Sequence, residues 1–238
     1  MIARRQWQSA AEVVLCSGFP TQILLSGVAT FAGLSPLTDT GSLSLPFVAA
    51  VSGADTALLG LLIWWFLRQR HESPRQVLLG GRRISREMAV GLLLAPGVVV
   101  FMSAGMWWLR RVLPGLQTVP ENPFELMAGS PLGAMVLLLV AVGAGGVREE
   151  VQRGFLLHRF RADLGGPVNG LVITSVVFGL GHVVQGWDAV LVTGALGAFW
   201  GVLYYTRDGI VAALVSHALA NGAQVGFAYV KGLEVLGS

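Results

Sequence analysis

Five polar residues in the C-terminal half of the chain have the types and spacing of a hydrolytic site: Glu149, Glu150, His182, His217 and Asn221. A glutamate can take a proton from water where apolar groups exclude bulk solvent, because a desolvated carboxylate is a stronger base. Histidine and asparagine can donate hydrogen bonds to the oxyanion that forms when water attacks a carbonyl. Because His217 and Asn221 are four residues apart, they share one helix face. Together these groups predict hydrolysis of a peptide bond.

The same residue types can also hold a metal, because imidazole nitrogen and carboxylate oxygen are zinc ligands. In that case Glu149, His182 and His217 would be the ligands. Neither a His-x-x-x-His pair nor a cysteine cluster supports a metal site, since Cys16 is the single cysteine. We therefore favour catalysis by glutamate with no cofactor and keep zinc as the alternative.

Helical spacing separates the expected roles of the two glutamates. Glu149 and Arg153 are four residues apart with the acid first, which predicts an ion pair along one helix face. Glu150 then points about 100° away and can do a different job. We favour Glu149 as the base, with Arg153 as a supporting residue.

A predicted helical hairpin brings Glu149 and His182 together. Residues 163–167, with the sequence Asp-Leu-Gly-Gly-Pro, predict a turn between two antiparallel helices. Glu149 and His182 lie at similar distances from this turn, so at about 1.5 Å per residue their side chains reach the same depth. Phe178 precedes His182 by four residues, which places it on the same face as a second supporting residue.

Composition indicates that these residues lie in a membrane protein. The chain of 238 residues is 54% hydrophobic and only 12% charged, with a mean hydropathy of +0.68. This excludes a soluble globular domain and a disordered chain. Long continuous apolar runs favour an all-α, polytopic transmembrane bundle of seven spans, with eight as the alternative. We expect one membrane domain over residues 1–238, with spans near 10–34, 44–67, 88–109, 131–147, 168–185, 187–206 and 209–230.

The arginines predict orientation. With the N-terminus in the cytoplasm, all but three of the 16 cationic residues fall in cytoplasmic segments, Arg148 and Arg153 among them. The three on the opposite side are Arg110, Arg111 and Lys231. This positive-inside bias predicts a multi-pass protein of the cell (inner) membrane with a cytoplasmic N-terminus. Its expected partners are membrane lipids and a peptide or lipidated-protein substrate, with no nucleic acid.

Three short motifs in residues 125–230 resemble those of the CPBP intramembrane proteases, whereas the N-terminal spans, residues 10–109, carry none. This family includes type II CAAX prenyl endopeptidases and bacterial Abi, bacteriocin-processing proteins. The resemblance implies a water-activating glutamate assisted by a second glutamate and a histidine, and a histidine and an asparagine at the oxyanion site. Its substrates are prenylated C-terminal tripeptides or other peptides. The matching runs are Glu149-Glu150-Val151-Gln152-Arg153, Phe178-Gly179-Leu180-Gly181-His182 and His217-Ala218-Leu219-Ala220-Asn221.

The first motif departs from the family pattern, in which three residues separate the glutamate pair from the arginine. Here only two do. If Arg153 is aligned with the family's arginine, Arg148 falls on the first glutamate and Glu149 on the second. A catalytically impaired scaffold or immunity protein of the same fold is therefore the alternative function. Asp55 lies inside a span and has no predicted partner, so we leave it out of the site.

Overall fold

The computed structural model describes the backbone of residues 2–237 and the side chains of residues 4–232. Helices dominate this part of the chain, and the isolated bridge between Leu37 and Leu43 is its only β-type pairing. The all-helical prediction is confirmed. The α-helices are α1 (Ile2–Leu15), α2 (Phe19–Phe31), α3 (Leu45–Gln69), α4 (Ile84–Val112), α5 (Pro131–Val140), α6 (Glu149–Asp163), α7 (Gly166–Leu180), α8 (Trp187–Arg207) and α9 (Val211–Gly237).

Five helical segments of the described chain are long and apolar enough to cross a bilayer: α3, α4, the α5–α6 rod, α8 and α9. A sixth span arises if α1 and α2, which meet at an angle of 42°, count as one broken span. The fifth predicted run corresponds to α7, an apolar helix of only 15 residues. At about 1.5 Å per residue it is shorter than the hydrocarbon core of about 30 Å. The bundle is as predicted, with five or six full spans where seven were expected.

Helices α5 and α6 form one continuous rod of 33 residues, Pro131–Asp163. A π-helical segment, Ala141–Arg148, joins them. The sequence places the end of this span near residue 147, whereas the helical rod continues to Asp163. The assignment of Arg148 and Arg153 to the cytoplasmic side stays a prediction. Both arginines are buried within the rod, with exposed fractions of 8% and 4%, because acidic partners from the protein interior compensate their charge.

The turn between α6 and α7 follows the prediction. Helix α6 ends at Asp163 and α7 begins at Gly166. Gly165 and Gly166 have φ angles of 92° and 89°, a conformation that glycine adopts without steric cost. Pro167 follows in the first turn of α7, where its missing N–H is not needed. The two helices pack against each other, so residues near their far ends face a common space.

Helix α9 packs against α4 and against the π-helical segment. Glycines make both approaches close. A Cβ atom at Gly91 of α4 would lie 2.6 Å from the Cβ of Val215, and one at Gly146 would lie 2.8 Å from the Cβ of Ala218. Since these distances are shorter than real carbon contacts, the helices meet backbone to backbone. The close packing places His217 beside the start of α6.

An ion-pair network ties the N-terminal helix to one end of the bundle. Arg159, which is fully buried, binds both Glu12 of α1 and Glu72 of the α3–α4 connection. Arg70 at the end of α3 also binds Glu12, and it reaches Asp163 at 2.9 Å. This network fixes α1 on the ends of α3 and α6.

Candidate active site

Glu150 is the buried carboxylate of the site. It is 1% exposed and lies in the first turn of α6. Its Oε1 accepts a hydrogen bond from Nδ1 of His217 at 2.8 Å and another from Arg153. The predicted pair between Glu149 and Arg153 is therefore wrong, because Arg153 binds the glutamate three residues before it. Residues three and four positions apart are both neighbours on a helix, so Arg153 could reach either glutamate. It binds Glu150, whose carboxylate also accepts the hydrogen bond from His217.

Glu149 is the carboxylate that faces the interior cavity. Its side chain is 17% exposed, and its contacts are longer than hydrogen bonds. Oε2 lies 3.7 Å from Nε2 of His217, and Oε1 lies 3.6 Å from Nη1 of Arg148. Oε2 has no hydrogen-bond partner among the described residues. Of the two glutamates, Glu149 is the one with a carboxylate not committed to an ion pair at hydrogen-bond distance.

His217 lies between the two glutamates and is 3% exposed. A carboxylate only accepts, so Nδ1 carries the hydrogen donated to Glu150 and Nε2 faces Glu149. The imidazole stacks on the indole of Trp200 with ring centroids 3.7 Å apart and an interplanar angle of 16°. The Trp200 indole is itself fixed, because Nε1 donates to Oγ of Ser216 at 3.1 Å. The orientation of the His217 ring is thus set on two sides.

His182 follows the C-terminal end of α7, where helix carbonyls lack N–H partners. Its Nδ1 lies 2.9 Å from the carbonyl oxygen of Phe178 and donates to it. This leaves Nε2 with a lone pair. The Phe178 ring contacts the His182 ring edge-on at 4.9 Å and receives the guanidinium of Arg153 on its face at 4.3 Å. Both supporting residues, Phe178 and Arg153, therefore connect the histidines to the buried glutamate.

Asn221 lies one turn after His217 on α9, as its spacing predicts. Its Nδ2 donates to the carbonyl oxygen of Ala141 at 3.2 Å. Ala141 begins the π-helical segment, and the wider turn of a π-helix leaves carbonyls without their usual α-helical partners. One amide hydrogen and the side-chain oxygen of Asn221 remain for other contacts.

Sequence reasoning missed an ion pair beside Glu149. Arg148 Nη2 lies 2.7 Å from Oδ2 of Asp55 on α3, and both side chains are nine-tenths buried or more. Gln22 of α2 also donates to Asp55, at 3.4 Å. The available signal was the rarity of an acidic residue inside a span, which implies a cationic partner. The partner was missed because Arg148 was assigned to the membrane surface.

A cavity of about 740 Å³ connects these groups. Glu149, His182, His217 and Asn221 line it together, as predicted, whereas Glu150 lies behind its wall. The Asp55–Arg148 ion pair and the supporting residues Arg153 and Phe178 also line the cavity. Polar residues on the part of its wall around Glu149 include Gln22, Asp55, Arg148, Gln152, Arg153, His182, His217 and Asn221, and the wall also carries Arg110, Glu125 and Lys231.

The donor geometry bears on the zinc alternative. Among the described side chains, residues 4–232, no three His, Cys, Asp or Glu residues are arranged to hold a metal ion. Glu149 and His217 lie close together, but His182 does not complete a three-ligand set with them. The arrangement shows instead one carboxylate and two imidazoles on the wall of one cavity.

Comparison with known proteins shows which family part of the chain is similar to. Residues 131–223 match the type II CAAX prenyl endopeptidase Rce1-like family. This confirms the resemblance carried by the three motifs, all of which lie within the matched segment. No curated protein and no solved structure matches the chain. The helical membrane bundle and the family match together indicate a CAAX-protease-like membrane peptidase.

Proposed function

We propose that this multi-pass membrane protein is an intramembrane endopeptidase in which Glu149 activates the attacking water. The observation that carries the proposal is the asymmetry of the two glutamates around His217. Glu150 binds Nδ1 of the imidazole and Arg153, while the Glu149 side chain is 17% exposed, lines the cavity and lies 3.6 Å or more from its charged neighbours Arg148 and His217. A carboxylate in that position can accept a proton from water.

The proposed reaction proceeds in two steps. Glu149 takes a proton from a water molecule as the water oxygen attacks the carbonyl carbon of the scissile peptide bond. His217 and Asn221 stabilise the resulting oxyanion, with the imidazolium Nε2–H and the remaining amide hydrogen as donors. The carbon–nitrogen bond then breaks, and protonated Glu149 returns its proton to the leaving amine. His182, with its Nε2 lone pair, helps to orient the water.

The environment of the site supports this chemistry. The Phe178 and Trp200 rings pack against the His217 ring and exclude water from the sides of it that they cover. Electrostatic interactions are stronger where water is excluded. Glu150 fixes the orientation of the His217 ring through Nδ1–H, much as a buried carboxylate orients the histidine in other hydrolases. The substrate is a peptide or a lipidated protein, which enters a cavity inside the bundle.

The test is cleavage of a pool of membrane-anchored, N-myristoylated hexapeptides by protein reconstituted in liposomes, with products read by mass spectrometry. Glu149→Gln should lower kcat about 100-fold or more, because it removes the base while preserving size. A chelator should leave the rate unchanged. Loss of activity in chelator that zinc restores would show a metal-dependent reaction instead.

The shortened first motif favours one competing function, a catalytically impaired scaffold or immunity protein of the same fold. Arg148 lies 3.6 Å from Glu149, where a cation weakens a carboxylate as a base. Absence of cleavage products from the whole pool, together with intact folding, would select this alternative.

A further inference from the structure

We propose that Arg148, held in place by Asp55, binds a main-chain carbonyl of the substrate next to the bond that is cleaved. The inference deepens the proposed function, because it takes a peptide as the ligand of the cavity. It concerns an ion pair to which neither the motifs nor the hydrolytic steps assign a role.

Burial of the pair is the first observation. The Arg148 side chain is 7% exposed and that of Asp55 is 2% exposed. Removing two charges from water is costly unless other contacts compensate. Buried polar groups in native proteins are nearly always hydrogen-bonded. Arg70 and Arg159 also have an open Nη2 atom, but unlike them Arg148 and Asp55 line the cavity.

This pair is not fully hydrogen-bonded. Nε of Arg148 and Oδ1 of Asp55 have no hydrogen-bond partner among the described residues. Arg148 directs Nη2 to Asp55, while its Nη1 lies 3.6 Å from Glu149. Both residues line the cavity. The guanidinium therefore has donor capacity beside the base.

Charge balance indicates what those donors bind. Asp55 neutralises Arg148, and Glu149 adds a second carboxylate on the other side of the guanidinium. A free carboxylate of the substrate would meet two acidic groups around one cation. A peptide carbonyl is a neutral acceptor and carries no such repulsion. The adjacent positions of Arg148 and Glu149 place this carbonyl next to the scissile bond.

The experiment measures binding and cleavage separately. The probe is the dye-labelled member of the myristoylated hexapeptide pool that wild type binds most tightly in liposomes. A set of counterparts carries a thioamide at one position each, because sulfur accepts hydrogen bonds more weakly than oxygen. We expect one thioamide to weaken binding to wild type about tenfold, as loss of a charge-assisted hydrogen bond would.

The double variant Asp55→Val/Arg148→Met removes the pair without leaving a lone buried charge. It should bind the parent probe about tenfold more weakly and should no longer discriminate against that thioamide. The matched control is Glu87→Leu/Arg207→Met. It removes another ion pair, between the buried Glu87 of α4 and the partly exposed Arg207 of α8, joined at 2.7 Å, that does not line the cavity. The control should bind like wild type.

Arg148→Lys serves if the double variant does not fold. It keeps the charge beside Asp55 but loses the planar fork of donors, so it should also lose discrimination at the thioamide position. An unchanged thioamide profile in these variants would overturn the proposal. So would failure of wild type to bind any peptide of the pool. A tenfold preference for a free C-terminal carboxylate over the amide, lost in the double variant, would replace the carbonyl with a carboxylate and also overturn it.

The two proposals fail in different ways. Thioamide-sensitive binding without cleavage would support the carbonyl site and overturn the peptidase. Cleavage with no thioamide-sensitive position would support the peptidase and overturn the carbonyl site.

Discussion

The two ring nitrogens of His217 face two different glutamates, and this arrangement divides the labour between neighbouring residues. Glu150, at hydrogen-bond distance from Nδ1, positions the imidazole. Glu149, at 3.7 Å from Nε2, faces the cavity. A rotation of about 100° between successive helix positions makes this division possible. Glu149 and Glu150 are adjacent in the sequence but therefore have different roles, the first as the base and the second as the residue that positions His217.

Substitution of Glu150 should give a different result from substitution of Glu149. Glu150→Gln keeps an acceptor for His217 but leaves the buried Arg153 without a counter-charge. Breaking a buried pair in this way costs about 3–5 kcal/mol. We expect a clear fall in thermal stability and a partial loss of kcat, measured by thermal unfolding and by peptide cleavage.

The control for that experiment is Glu149→Gln, which should remove cleavage with little change in thermal stability. If Glu150→Gln abolishes cleavage while the protein stays as stable as wild type, Glu150 is the base and the roles assigned here are reversed.

Residue types and spacing singled out four residues that line one cavity, and Glu150, which lies behind its wall; the catalytic roles of these residues stay a prediction. They did not predict which glutamate binds Arg153. That choice depends on His217 from another helix, and local spacing allows both. The Asp55–Arg148 pair was missed for a similar reason, because its two halves come from distant parts of the sequence.

At the scale of elements, the π-helical segment aligns two parts of the site. It precedes Glu149 directly, and α6 from Glu149 onwards is regular. No bulge between Glu149 and Arg153 restores the family's three-residue separation. The wider turn lies before the motif, where its first carbonyl binds Asn221. The periodicity of apolar residues in the sequence cannot predict a π-helical turn. Such a turn shifts the helical register of the residues that follow it, but the segment stays as apolar as an α-helix.

A larger side chain between the π-helical segment and α9 should push the two helices apart and displace the site residues on α9. Gly146→Val would place side-chain atoms against Ala218, since even a Cβ there would be 2.8 Å from the Cβ of Ala218. We expect a destabilisation of about 1–3 kcal/mol and a loss of cleavage, because α9 carries both His217 and Asn221. Thermal unfolding and peptide cleavage measure the two effects.

Gly143→Ala is the matched control, because a Cβ at that position in the same segment meets nothing within 4 Å. It should leave both stability and cleavage near wild type. Equal damage from the two substitutions would mean that the segment requires glycine for its backbone conformation, and not for contact with α9.

The α1–α3–α6 network predicts a pH dependence of stability. Burial raises the pKa of Glu72, but hydrogen bonds from His158 and Arg159 outweigh it and lower the pKa from 4.5 to about 2. A carboxyl with a lowered pKa in the folded state stabilises it above pH 4.5, and this contribution is lost as the pH falls towards 2. Glu72→Gln should therefore lower the melting temperature at pH 6, and the difference from wild type should shrink at pH 4 and again at pH 2.5. A difference that stays constant with pH would contradict this.

At the scale of the whole molecule, composition predicted a helical membrane bundle and the apolar runs predicted the positions of its helices. The number of full spans was not predictable, because a short, partly covered helix and a bent helix pair are as apolar as a membrane span. Helix α7 is covered partly by α6 and α8. Its hydropathy therefore reflects protein contacts as well as lipid.

Orientation remains a proposal, with the N-terminus in the cytoplasm. Arg148 and Arg153 do not count towards the charge bias, since they are buried, but most exposed arginines still lie on the N-terminal side of α4. In a Cys16→Ser background, Gln76→Cys should resist a membrane-impermeant thiol reagent in intact cells, and Gln117→Cys should react. The two positions flank α4 and are both exposed. The reverse labelling pattern would invert the topology.

The ion pairs of α1 also impose an order on biosynthesis. Arg159 follows its partner Glu12 by 147 residues, so at about 5–20 residues per second the ribosome completes this pair roughly 7–30 s after it makes α1. Until then Glu12 has only its partner from α3, Arg70. Helix α1 is therefore made early but gains its contacts with α6 late. Substitutions in this network should slow maturation of newly made protein before they alter the finished site.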